Sequence, residues 1–293
     1  MAGRIGGPAR SVSPTLLVEC PHRPEVVAAL SRFVDENGGN ILAADQHTER
    51  ESGRFYLRLV WSLDGFRPDR AETAKALRKL ADTLELRWDL LYSDAEQRVV
   101  VFVSKTPHCL YDLLQTHQLD ELGGEIVGVL SNHEDLRSVA AHFEIPYTIV
   151  PVDPTKREAA EAAISSVLEQ WRPDLIVLAR YMQVLSPQFV ERWEGRLINI
   201  HHSFLPAFVG ARAYAQARER GVKMIGATAH YVTNELDEGP IIEQDVIRIG
   251  HRDTLADVVR KGRELERTVL TRAVRLHLGR RVLVSGQRTI VFE

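Results

Sequence analysis

A chain of 293 residues with 44% hydrophobic side chains has material for real cores and exceeds the ~100 to 200 residues of one domain, so two domains are expected. Its 37 basic residues stand against 40 acidic ones, a net charge of −3 with no long basic block, which argues against a nucleic-acid partner. No run approaches the ~18 apolar residues of a membrane span, and Cys20 and Cys109 lack any Cys-x-x-Cys spacing, which points to a reducing compartment, the cytoplasm, and away from structural zinc.

Met1 to Ser13 has no apolar stretch of the signal-peptide kind and reads as a Gly-rich tail. A first domain is expected over 14–93. Thr15 to Cys20 is a strand by its apolar and β-branched content, and Pro24 opens a helix with Val26, Val27, Leu30 and Phe33 at helical spacing, stopped by Asn37-Gly38-Gly39. Ile41 to Thr48 and Arg54 to Trp61 flank the turn Glu51-Ser52-Gly53, and Phe55, Leu57, Leu59 and Trp61 alternate as one buried face. A helix around Glu72 to Leu84 and a strand around Glu85 to Tyr92 complete a ferredoxin-like βαββαβ unit. On these residues the domain resembles an ACT module, a small-ligand-sensing or dimerising sheet. In its first loop, Cys20-Pro21-His22-Arg23-Pro24-Glu25, His22 stands where the module carries Asp and Glu25 where it carries Gly. A side chain in place of Gly obstructs close approach of a ligand, so a homo-oligomer through this domain ranks ahead of effector sensing, and His22 and Arg23 read as solvated loop residues.

After the polar joint Ser93 to Gln97, a second domain is expected over 97–293. Arg98 to Val103 is an apolar run of the kind buried on both faces of a parallel sheet. Strand and helix patterns then alternate: Glu125 to Val129 with Glu134 to Phe143, Tyr147 to Val150 with Arg157 to Trp171, Leu175 to Ala179 with Pro187 to Trp193, then Leu197 to Ile200. This is the rhythm of a doubly wound, mostly parallel α/β domain. Ser104 to Cys109 contains no glycine, so neither a dinucleotide fingerprint nor a phosphate loop follows the first strand; Lys105 and His108 could touch an anion at the helix start but read better as solvated loop residues. Ser131 or Asn132 is expected to cap the next helix. Arg180 to Leu185 leads to the helix opener Ser186-Pro187. Its apolar members suit the wall of a pocket for a flat heterocycle, although taken alone they fit core packing better. Gly210 to Tyr214 begins a helix after a Pro-containing loop. Ile241 to Ile249 is a strand; Leu255, Val258, Val259, Gly262, Leu265, Val269, Ala273 and Val274 form one stripe of a long helix; Val282 to Ser285 and Thr289 to Phe292 flank Gly286-Gln287 as a hairpin.

Polar chemistry sits at two places in this framework. Asn199-Ile200-His201-His202-Ser203-Phe204-Leu205-Pro206 leaves one apolar strand, and His230 to Pro240, with Asp237, leaves another, Ile225 to Ala229. Asn199, His201 and Asp237 are expected to converge on one crevice. An amide, an imidazole and a carboxylate supply a donor for a developing oxyanion, a proton carrier near neutral pH and an orienting base, the parts that take an acyl group apart. No activated Ser or Cys accompanies them, so no nucleophile from the chain itself is in evidence. A metal held by His201, His202, His230 and Asp237 would match no standard zinc spacing. His230 reads equally as a supporting residue and as a core histidine.

Asn-Ile-His-x-Ser-x-Leu-Pro, followed by His230 and, seven positions on, Asp237, resembles the folate-dependent formyltransferase family, matched at Asn199, His201, Ser203, Leu205, Pro206, His230 and Asp237, with Gly210 and Gln216 fitting between. The variant Asn199 to Phe208, the stretch Arg180 to Leu185 and the amino-terminal ACT-like domain resemble its hydrolytic branch. The resemblance implies hydrolysis of 10-formyltetrahydrofolate to tetrahydrofolate and formate, without cofactor or metal, the folate being the substrate. It assigns Asn199 as donor to the formyl oxygen, His201 as oxyanion stabiliser and proton carrier, and Asp237 as orienting group and proton acceptor. Met182, Gln183, Val184, Leu185, His202, Ser203, Gly210 and His230 fall to substrate binding. The alternatives are formyl transfer to an amine acceptor and a regulatory folate-binding protein.

Overall fold

The computed structural model describes residues 11–207 and 213–293, with backbone alone at Pro154. Most of the amino-terminal tail and Gly210 lie outside the described residues. The chain divides into two units, the first holding the described residues up to Glu96 with Arg280–Leu283 and Ile290–Glu293, the second Gln97–Gly279 with Val284–Thr289.

In the first unit, β1 (Pro14–Pro21), α1 (Glu25–Glu36), β2 (Asn40–Glu49), β3 (Arg54–Ser62), α2 (Arg70–Leu84) and β4 (Arg87–Tyr92) follow the expected βαββαβ order. The strands form one antiparallel sheet in the order β2-β3-β1-β4. Phe55, Leu57, Leu59 and Trp61 pack with Leu16, Val18, Val26, Leu30, Phe33 and Leu77 into one core. Two details differ from expectation. Val27 is exposed and Val34 takes its place on the buried stripe of α1. Tyr56 and Val60, on the other face of β3, are buried as well. Asp69 starts α2 with a capping box, accepting from the Glu72 amide while Glu72 accepts from its own. In the loop after β1, His22 is exposed, and Arg23 pairs with Glu85 at 2.6 Å.

In the second unit, β5 (Arg98–Val103), β6 (Glu125–Ser131), β7 (Tyr147–Ile149), β8 (Leu175–Leu178), β9 (Leu197–His201), β10 (Met224–Tyr231) and β11 (Ile241–Arg248) form one sheet in the order β11-β10-β9-β8-β5-β6-β7. β9, β8, β5, β6 and β7 are mutually parallel, and β10 runs against both its neighbours. The helices are α3 (His108–Gln118), α4 (Arg137–His142), α5 (Arg157–Trp171), α6 (Pro187–Arg192), α7 (Ala213–Glu219) and α8 (Leu255–Leu278). The last hairpin, β12 (Val282–Ser285) and β13 (Arg288–Val291), has residues in each unit. Val99 to Val103 are wholly buried, as a central parallel strand requires.

From β5 the chain winds outward through β6 and β7, then crosses back to β8 on the other side. The winding therefore reverses between β5 and β8, and such a switch point opens a crevice outside the carboxyl ends of its strands. Ser104 ties this region together: its hydroxyl donates to Asn132 Oδ1 at 2.7 Å and accepts from the Met182 amide at 3.0 Å, joining the loops after β5, β6 and β8. Asn132 is thereby taken from the capping role expected of it. α4 starts at Arg137, its N-cap Leu136 supplying no side-chain cap, and Ser131 instead accepts from the His133 amide. Ser186 does cap α6, accepting from the Phe189 amide, with Pro187 in the first turn.

Candidate active site

β9 carries Asn199 and His201 on one face, because side chains two apart along a strand point the same way. β10 lies alongside with His230 opposite Asn199 and Thr228 opposite His201. The loop after β10 brings Asp237 to this face. Its Oδ1 lies 3.2 Å from His201 Nδ1 and 3.9 Å from His230 Nε2, its side chain only 10% exposed. His202 follows, its ring centroid 5.0 Å from that of His201. Asn199, His201, His202, His230 and Asp237 are thus one cluster.

The hydrogen bonds fix the protonation pattern. His230 Nδ1 faces the Tyr231 carbonyl at 2.9 Å, so Nδ1 carries the hydrogen and Nε2, 3.3 Å from Asn199 Nδ2, accepts from the amide. Burial holds His230 below the ordinary histidine pKa, against weaker opposing contributions from the Tyr231 carbonyl and Asp237, which keeps it neutral in this role. It is both a satisfied core histidine and the group that orients Asn199. Burial works to raise the Asp237 carboxyl, but the hydrogen bond and charge of His201, then His230 and His202, outweigh it and hold the group below the ordinary aspartate value. His201 donates Nδ1–H to this carboxylate, and its Nε2 is buried with no hydrogen-bond partner in the protein. The cluster therefore presents one amide N–H and one imidazole nitrogen, backed by a fixed negative charge.

The turn after β9 is locked from β10 and β11. Thr228, wholly buried, donates to the Ser203 carbonyl at 2.8 Å and accepts from the Leu205 amide at 3.1 Å and from Gln244 Nε2 at 2.9 Å. Ser203, expected at the substrate, spends its hydroxyl on the Ala207 carbonyl and so builds the turn. The Asp237 loop is held by Gly239, where a Cβ would lie 1.7 Å from the Tyr231 carbonyl oxygen. Among the described residues seven non-glycine residues have positive φ, and five of them (Glu85, Asp120, Glu144, Arg172 and Arg280) follow helix ends; Arg180, at 64°, and Asp237, at 60°, do not. Backbone strain away from helix ends marks these two positions.

Arg180 leads to a second polar cluster absent from the sequence expectations. Glu266, 1% exposed on α8, lies 3.0 Å from His108 Nε2 and 3.4 Å from Arg180 Nε, and its other oxygen accepts from the Tyr214 hydroxyl. Burial acts to raise the Glu266 carboxyl, yet His108, Arg180 and Tyr214 together hold it below the ordinary glutamate value. His108 is not the solvated loop residue its position implied. The Tyr214 ring packs edge-on to His202 at 5.5 Å, and Gly262 makes room for it, since a Cβ there would lie 2.2 Å from the Tyr214 ring. His108, Cys109 and Glu266 place ligand atoms within 4.8 Å of one another, but both Glu266 oxygens already have donors. The signal for Glu266 was an acid between Leu265 and Val269 on an apolar stripe; Leu255, assigned to that stripe, is exposed.

The 182–185 stretch leaves β8, which neighbours β9, with Leu178 paired to Asn199. Met182 and Val184 are 48% and 54% exposed, which overturns core packing for them, while Leu185 is partly buried against the core. Phe204, after β9, and Leu236, beside Asp237, are exposed apolar side chains as well.

The formyl transferase family matches over residues 97–274 and the ACT domain over residues 14–82. A formyltetrahydrofolate deformylase of Synechocystis is 50% identical, covering 97% of this chain and 99% of its own. The crystal structure of a formyltetrahydrofolate deformylase from Pseudomonas syringae matches with a TM-score of 0.95 at 45% identity, covering 97% of this chain and 96% of that one. A glycinamide ribonucleotide transformylase from Symbiobacterium toebii matches with a TM-score of 0.65 at 30% identity, covering 98% of that chain but 70% of this one.

Two outcomes follow from this geometry. Gly239→Ala drives a methyl group into the Tyr231 carbonyl, so the Asp237 loop shifts and stability falls by about 1–3 kcal/mol, measurable as a lower urea midpoint. Glu266→Gln leaves buried donors short of a charge and costs on the order of 3 kcal/mol at neutral pH. Because the folded carboxyl titrates below its unfolded value, that advantage of the native protein is complete above about pH 5 and shrinks as pH falls below about 4.3. Urea midpoints of both proteins from pH 7 to pH 4 check this, and a gap that does not narrow with acid contradicts it.

Proposed function

The chain belongs to the formyltetrahydrofolate deformylases, which hydrolyse 10-formyltetrahydrofolate to tetrahydrofolate and formate, and we propose that Asn199, His201 and Asp237 carry that hydrolysis in this member. The observation that carries the assignment is the Asp237–His201 contact of 3.2 Å, with His201 Nε2 buried and unbonded beside the amide of Asn199. The formyl oxygen sits against Asn199 Nδ2–H and His201 Nε2–H. Water attacks the formyl carbon and gives up a proton toward the Asp237 carboxylate, which its position makes the acceptor. The carbonyl π electrons move to oxygen, and the two donors hold the resulting oxyanion. Collapse reforms the C=O bond and breaks the C–N bond, whose electron pair goes to the folate nitrogen. That nitrogen takes the proton which Asp237 and His201 hold between them, and the formic acid released ionises to formate. No cofactor enters these steps.

Around this centre, His202 and His230 frame the trio, and the folate ring system lies against the exposed apolar side chains Met182 and Val184 with Gln183 and Leu185 between and beyond them. The Ser203 turn contributes to the same wall. The ACT unit pairs copies of the chain. Support for that pairing comes from β2, a ten-residue strand at the sheet edge with Leu42 54% exposed. Sedimentation of the purified protein reads its oligomeric state directly. The free, buried thiols of Cys20 and Cys109 agree with the reducing cytoplasm.

Asp237→Asn is the sharp test, because Asn tolerates the left-handed backbone that residue 237 adopts and the fold is kept. With water the only acceptor, the native protein releases tetrahydrofolate and formate in equal amounts, and the variant, still folded, turns over about 10²- to 10⁴-fold more slowly. Folate binding without formate from the native protein would remove the hydrolytic function. Full turnover by the variant would remove Asp237 from it.

A further inference from the structure

The crevice between the ends of β5 and β8 is where a doubly wound sheet seats a small ligand, commonly an anionic one. Both lips of this crevice carry donors: His108 opens α3 after β5, and Arg180 follows β8. An arginine and a histidine aimed at one point are the arrangement that grips a phosphate or carboxylate group. Here that point is occupied from within. Glu266 reaches in from α8 with His108 Nε2 at 3.0 Å and Arg180 Nε at 3.4 Å, and the Tyr214 hydroxyl donates to its second oxygen. Two features show that the arrangement is built rather than incidental. Arg180 holds a φ of 64° without the helix end that explains most such residues in this chain, and Gly262 supplies the space that the Tyr214 ring fills.

We infer that Glu266 is a built-in anion standing in the switch-point crevice where an acceptor's anionic group would bind, so that an anionic amine is shut out and water is left to receive the formyl group. The consequence for acceptor choice rests on the hydrolytic function proposed above; the occupancy itself does not. The plug touches the catalytic cluster through side chains alone: Tyr214 packs on His202 at 5.5 Å, and His202 on His201 at 5.0 Å. His108 also lines a cavity of about 580 Å³ with Arg260, Arg263, Glu264 and Arg267, whose three arginines outweigh its one acid and favour the approach of a small anion to His108.

Glu266→Ala tests the occupancy with inorganic phosphate as the probe and no folate present. Phosphate raises the melting temperature of Glu266→Ala by about 5 °C at concentrations well above its Kd, with saturation, while the native protein responds no more than to chloride at equal ionic strength. Adding Arg180→Met to Glu266→Ala abolishes the response. If Glu266→Ala does not fold in chloride, refolding from urea in phosphate against chloride reads the same effect. An equal response in native protein and variant, an unchanged response after Arg180→Met, or no recovery in phosphate overturns the inference. Acceptor exclusion is read separately: phosphoethanolamine, a primary amine bearing a phosphate, inhibits formate release by Glu266→Ala at least tenfold more tightly than by the native protein, and equal inhibition overturns it. Because the phosphate response is measured without turnover, failure of hydrolysis and failure of the plug give different results.

Discussion

A carboxylate held against an imidazole at the end of a strand is the constraint that the catalytic unit is arranged to satisfy. Asp237 lies 3.2 Å from His201 only because a loop returns from the far end of β10, and that return needs a glycine packed on the Tyr231 carbonyl and an aspartate in left-handed backbone. On the strand side, the turn after His201 is pinned by Thr228 and Gln244 from two neighbouring strands. The antiparallel strand β10 is what makes both possible. It presents His230 to Asn199 and Thr228 to the turn, so one strand orients both the amide and the imidazole of the site.

Much of this was legible in the sequence because it rests on local signals. Alternation at Phe55 to Trp61, the wholly apolar Val99 to Val103 run and the Ser186-Pro187 start each depend on a few neighbouring residues, and each appears as expected. The convergence of Asn199, His201 and Asp237 was legible for a different reason: polar groups placed where apolar strands end have few other uses. Where expectation failed, a distant residue had intervened. Asn132 was drawn from its cap by Ser104, and His108 was drawn from solvent by Glu266, 158 positions away. No window along the chain contains either partner together with its target.

Glu266 shows the energetic side of the same point. A carboxylate this deeply buried is costly unless donors surround it, and even a well-paired buried charge is weak evidence of stabilisation compared with an apolar substitute of equal volume. A charge kept there, with an arginine in strained backbone beside it, is therefore better explained by what it holds or excludes than by what it adds to the core.

That explanation bears on how one fold serves both hydrolysis and transfer. An amide N–H, an imidazole and a carboxylate stabilise the same tetrahedral oxyanion whether the incoming nucleophile is water or an amine, so the proposed trio cannot choose between them. The choice must be made on the side from which the nucleophile arrives. In this chain that side has no glycine between Ser104 and Cys109 to bring backbone N–H groups up to a phosphate, and its arginine and histidine already face Glu266. A phosphorylated amine would meet a buried negative charge instead of a binding site, whereas water is small and uncharged and meets no such barrier. Selecting water by filling the competing subsite leaves the oxyanion machinery untouched, and so permits acceptor choice to change without rebuilding the chemistry.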